Sequence, residues 1–173
     1  PALLKMIHMA ERKSQSITDY FNSLKIVPVS ISYEFDPNDQ LKAREVYLSE
    51  SNSEYVKEKN EDFISIANGI TGLKGNVTIN LDKPMTFSDD DDYSKIAKKI
   101  TNSIVSMYEL HATNYAAYKL LGLKETNHEE YSSDEINKVM QILEKRVSQL
   151  PEGARSNLLE QYANPVIRKL NLI

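Results

Sequence analysis

From Lys25 to Glu34 the spacing of apolar side chains switches from every third or fourth residue to every second, so the chain must build at least one strand among its helices. Val27, Val29, Ile31 and Tyr33 alternate with Pro28, Ser30, Ser32 and Glu34, which predicts a half-buried strand with the four apolar side chains turned to the core. A proline has no N–H to give a neighbouring strand, so Pro28 belongs at a strand start, at an edge or beside a cleft. Asp36-Pro37-Asn38-Asp39 closes the run as a turn, and either Asn38 or Asp39 can cap the helix that follows. After Gly75-Asn76, the alternation of Val77, Ile79 and Leu81 predicts a second short strand beside the first, stopped by Pro84.

The rest reads as helix. Residues 3–24 carry Leu3, Ile7, Ala10, Ile17, Phe21 and Leu24 at helical spacing, with a polar interruption over 11–16. Residues 40–59 are highly charged, anchored by Leu41, Val46, Leu48, Tyr55 and Val56, and are expected to lie over the surface. A helix over 61–70 is expected to be held through Phe63, Ile64 and Ala67 and ended by Gly69 and Gly72. Amphipathic helices follow over 93–110, 112–121, 133–150 and 154–170, the last kinked or split at Pro165. The expected fold class is therefore α/β and helix-rich, with both strands in residues 1–88 and a helical extension, 89–173, packed on them.

At 173 residues the chain has one core's worth of sequence. Its 21 Lys and Arg are scattered among 25 Asp and Glu, so no basic stripe points to nucleic acid. The absence of cysteine excludes disulfides, a thiolate zinc site and a Cys nucleophile, and fits a cytoplasmic location. No apolar run approaches the ~18–20 residues needed to cross a bilayer. The opening Pro1-Ala2, without an initiator Met, points to a processed or excised chain.

The block Ile26-Val27-Pro28-Val29 resembles the fourth motif, apolar-Val-Pro-apolar, of the glycerolipid acyltransferases. The resemblance extends from Pro1 to about Phe87. Pro1-Ala2-Leu3-Leu4-Lys5-Met6 is similar to the segment that follows the third motif in a bacterial branch of that family. The charged helix and then Gly72-Leu73-Lys74-Gly75-Asn76-Val77-Thr78-Ile79-Asn80-Leu81 keep the family's order. The resemblance implies transfer of a fatty acyl group from acyl-CoA or acyl-ACP to glycerol 3-phosphate or its 1-acyl form, without metal or redox cofactor. It implies a base of the form His-x-x-x-x-Asp, in which the carboxylate orients the His that takes the acceptor's proton. Five positions beyond His8, His111 and His128 stand Lys13, Ala116 and Ser133, so no catalytic residue is expected in this chain, and the base and a phosphate-binding Arg would precede Pro1. Val27, Pro28, Val29 and Ser30 would form a pocket wall, Pro28, Ser30 and Ser32 being on the face that can meet a ligand. Lys42 and Arg44, one turn beyond, could reach an anionic headgroup.

Other motifs carry less. Pro151-Glu152-Gly153-Ala154-Arg155-Ser156 imitates the family's third motif but follows the fourth and lies in helix-forming sequence, which makes it an interhelical loop with an acidic first turn. Asp89-Asp90-Asp91-Asp92 lacks the glycine and distal Glu of a calcium loop, and Asp92 stands where a helix cap belongs. Gly69, Gly72 and Gly75 are turn glycines, with no Lys-Ser or Lys-Thr after them to hold a phosphate. No two histidines share metal-ligand spacing.

The sequence thus leads to the C-terminal part of an acyltransferase of phospholipid synthesis, inactive alone, working at the inner face of a membrane. Its partners would be the acyl thioester and glycerol phosphate, met together with an upstream half, with peripheral membrane contact and a homodimer as further expectations. The competing reading is a non-catalytic helical module that docks on a protein or a membrane surface.

Overall fold

A computed structural model describes residues 1–10, 16–51, 56–57, 59–124 and 130–172. Along them run α1 (Ala2–Met9), α2 (Ile17–Ser23), β1 (Val29–Tyr33), α3 (Asp39–Ser51), α4 (Glu61–Thr71), β2 (Val77–Leu81), α5 (Tyr93–Met107), α6 (Ala112–Leu120), α7 (Ser133–Ser148), a single 3-10 turn (Glu152–Ala154) and α8 (Arg155–Leu170). The chain divides into two compact units, the first made of residues 1–31 and 78–108, the second of 32–77 and 109–171. A boundary at residue 88 falls inside the first unit.

In the first unit Phe21, Phe87 and Ile96 form a buried cluster, with Leu4, Ile17, Tyr20, Met85 and Tyr93 packed around it. The Asn22 side chain clamps the return of the chain by donating to the Phe87 carbonyl (2.9 Å) and accepting from the Phe87 amide (2.8 Å). Ser16 caps α2 by accepting from Asp19 N, and Asp92 caps α5 by accepting from Lys95 N (2.8 Å), each satisfying a donor that has no partner inside its helix.

The second unit is a helical layer in which α3, α6, α7 and α8 share a core of Ala43, Ala116, Ala117, Ile136, Leu143, Leu158 and Ala163. Four alanines there let helix backbones approach closely. Ser132 and Glu135 form a reciprocal capping box that starts α7. α8 runs through Pro165 as one helix, neither split nor ended there. Burial of Leu158, Tyr162 and Ala163 before the proline and of Val166 after it holds both halves to the core despite the lost hydrogen bond.

The two strands pair antiparallel: Glu34 N donates to Asn76 O (2.9 Å) and Asp82 N to Pro28 O (3.0 Å). This register sets Val29 opposite Leu81, Ile31 opposite Ile79 and Tyr33 opposite Val77. The facing is the reverse of the sequence expectation. Ser30 and Ser32 are buried at 1% and 0% exposure, while Val29, Ile31 and Tyr33 stand 41%, 46% and 40% exposed. Small side chains are what the inner face admits, and Ser32 Oγ accepts the Glu109 amide there at 2.9 Å. The alternation marked a strand correctly but not which side the protein covers.

Two further expectations fail in the same direction. α4 buries none of its residues, and Phe63 and Ile64, expected to anchor it, are exposed. α3 ends at Ser51 and is held by Ala43 and Tyr47 instead of Val46, which is exposed; Val56 is exposed as well, and Tyr55 lies outside the described residues.

Candidate functional site

The residues proposed as a pocket wall sit around the start of β1, in the first unit. Pro28 is buried, and its carbonyl takes the Asp82 amide, so the proline stands at the strand start where a missing donor costs nothing. Ser30 points inward with its hydroxyl buried and unpartnered. Ser30 and Ser32 lie on the covered face of β1, contrary to the expectation that this face stands open. The open face is the apolar one: Val27, Val29 and Ile31 from the β1 side, Ile79 and Leu81 from β2, exposed between 39% and 68%.

Lys42 and Arg44 belong to the second unit and do not act as a pair, because residues two apart on a helix point to different sides. The Lys42 ammonium pairs with the Asp36 carboxylate while keeping 55% of its side chain exposed. Arg44 lines two clefts against α3, one of about 220 Å³ with Leu41, Leu48 and Ile64, the other of about 500 Å³ with Tyr47, Gln149 and Pro151.

The strongest electrostatic feature was not legible in the sequence as a site. Asp39, at the start of α3 and 2% exposed, receives the Arg146 guanidinium of α7 (2.6 Å) and the Tyr162 hydroxyl of α8 (2.8 Å) on one carboxylate oxygen. Tyr162 in turn accepts the Asp36 amide at 2.9 Å, and Arg146 lies 5.1 Å from the Phe35 ring centroid. Burial, then the Asp39 charge, raises the Tyr162 phenol far above its ordinary value. Perturbed groups mark active sites when they line a cleft. This cluster is enclosed by its own helices, and its chemistry is that of a latch.

The remaining motifs resolve into local structure. Gly153 lies under the Tyr47 ring, which an added Cβ would strike, and Arg155 Nε donates to the Leu150 carbonyl, so the Pro-Glu-Gly segment is a close-packed interhelical turn. Asp91 is buried and accepts from Lys99, whose hydrogen bond, followed by that of the Ser88 amide, holds its carboxyl below the usual carboxylate range. Among the described residues no group of three metal-ligating side chains converges. His8 bonds Tyr93 Oη (2.7 Å) and stacks on Tyr20, His111 is buried at the start of α6, and His128 lies outside the described residues. Among the described residues no helix is long and apolar enough to cross a membrane.

No family model, curated protein or solved structure matches the chain.

Proposed function

We propose that this chain is part of a glycerolipid-type acyltransferase, supplying an acyl-chain wall to a reaction whose base lies outside it. The acceptor hydroxyl of glycerol 3-phosphate, or of its 1-acyl form, attacks the thioester carbonyl of acyl-CoA or acyl-ACP. An ester forms, the thiol leaves, and the hydroxyl proton passes to a histidine of the His-x-x-x-x-Asp type. The observation that carries the reading is the open apolar face at the Val-Pro-Val block. A fatty acyl chain gains about 0.8 kcal/mol for each methylene it buries, and Val27, Val29, Ile31, Ile79 and Leu81 offer branched aliphatic surface and no charge. Pro28 and Ser30 shape that wall from its buried side.

The alternative, a non-catalytic docking module acting on a protein or membrane surface, is favoured by the exposed apolar residues of α4. Titrating the ¹⁵N-labelled chain with an S-hexadecyl thioether of CoA, which mimics the donor but cannot react, separates the two. The acyltransferase reading expects shifts at the amides of Val27, Val29, Ile31, Ile79 and Leu81. Shifts confined to α4, or none, would overturn it.

A further inference from the structure

Phe63, Ile66 and Ile70 of α4 are 72%, 62% and 74% exposed, and Leu73, just past the helix, is 69% exposed. On the helix itself Phe63, Ile66 and Ile70, spaced three and four apart, form one exposed apolar stripe with Ile64, 49% exposed, beside it, while Leu73 follows Gly72, whose extended backbone ends the helix. The stripe is distinct from the side by which α4 meets its own unit, where Asn38 Nδ2 donates to the Ser65 carbonyl (3.0 Å) and lies against Gly69. The ends of the helix differ in charge. Glu61 and Asp62 occupy the first turn, and the Lys74 ammonium sits on the carbonyls of Ile70 (3.3 Å) and Gly72 (3.1 Å) at the other end. Asp62 also accepts from Lys57 but keeps 76% of its side chain exposed.

We infer that α4 is a self-association surface whose occupant is a second copy of this chain, docked antiparallel. A two-fold axis at the level of Asn68 brings Ile66 against Ile70 of the other copy and sets Phe63 and Asp62 beside the end of the other helix that carries Leu73 and Lys74, so one helix supplies both halves of the contact. The antiparallel arrangement also places each acidic first turn beside the other copy's lysine-bearing end. An anionic bilayer fits less well, because Glu61 and Asp62 would face it. Four such side chains amount to several hundred Å² per copy, short of the ~800 Å² per partner of a standard interface, so the dimer is a weak one. The inference stands apart from the acyl-transfer reading, since it uses no residue of β1 or β2.

Sedimentation velocity of the whole chain from about 1 to about 200 µM should show a monomer passing to a dimer, the behaviour of a micromolar dissociation constant. Ile66→Lys should leave the circular dichroism unchanged, because the side chain is exposed, and raise that constant at least about tenfold. Asp62→Lys and Lys74→Asp should each weaken the dimer, and the double reversal should restore it. A chain monomeric through 200 µM, a dimer indifferent to Ile66→Lys, or a double reversal without recovery would overturn the inference. So would a monomer that sediments with phosphatidylglycerol vesicles through Ile66, which assigns the stripe to a lipid surface.

Discussion

Tyr162 ties three segments of the second unit together through one hydroxyl, which gives to Asp39 and takes from the Asp36 amide. The Asp39 carboxylate is tolerable at 2% exposure because Arg146 balances its charge. Removing the cation while keeping the volume, as in Arg146→Met, strands that carboxylate and is expected to cost about 3–5 kcal/mol. Tyr162→Phe leaves the buried Asp39 carboxylate and the part-buried Asp36 amide each one partner short and should cost about 1–3 kcal/mol. Urea midpoints measure both, and a cost near zero for Arg146→Met would mean that the Asp39–Arg146 contact does not hold α3 to α7. The pH dependence has a definite sign. Tyr162 holds its proton more tightly folded than at the unfolded value of 10.0, so this contribution is complete below pH 10 and is lost as pH rises above it. Tyr115 and Tyr131, raised first by burial and then by Glu130, add to the same decline. Stability should fall above pH 10 in the native chain, and more gently in Tyr162→Phe.

At the scale of elements, the β1 and β2 ribbon separates what a pattern encodes from what it does not. The period of two located both strands within two residues, and Asp39 could be picked out as a candidate for the start of α3. Period also located most helices, because apolar spacing reflects a helix's own geometry. It could not reveal which face of β1 is covered, since alternation says only that the two faces differ. Nor could it show that Asp39, Arg146 and Tyr162 meet, since more than 100 residues separate Asp39 from each partner. For α4 the apolar residues were visible and their destination was not, because a seam for another helix and an anchor to the core use the same residue types. The inverted ribbon has a direct test in its two serines. Ser32→Ala removes the acceptor of the part-buried Glu109 amide and is expected to cost about 0.5–1.5 kcal/mol. Ser30→Ala deletes a buried hydroxyl with no partner and should be neutral or slightly stabilising. Equal costs for the two, read from thermal midpoints, would contradict the facing described.

For the molecule as a whole, chemistry must come from groups that can take and give protons where a substrate can reach them, and neither histidine among the described residues stands open with an Asp beside it. His8 is engaged with Tyr93 and stacked on Tyr20, His111 is buried in the second unit, and no histidine has an Asp five positions on. Tyr162, whose phenol is raised far above its ordinary value, joins α8 to the start of α3 and lines neither of the two clefts beside Arg44. Losing a positioned general base typically costs 10²–10⁴ in rate, and here the phosphate-binding arginine of the resemblance has no counterpart either, Arg155 being bonded to the Leu150 carbonyl. The chain on its own is therefore expected to release no thiol from palmitoyl-CoA in the presence of glycerol 3-phosphate above a protein-free blank, whether or not the exposed apolar ribbon face takes up the acyl chain. Binding and turnover are separable, which is why the thioether titration and the thiol assay together say more than either does. Turnover that survives repurification and vanishes in His8→Ala or His111→Ala would place the base inside this chain and remove the reason for assigning it elsewhere.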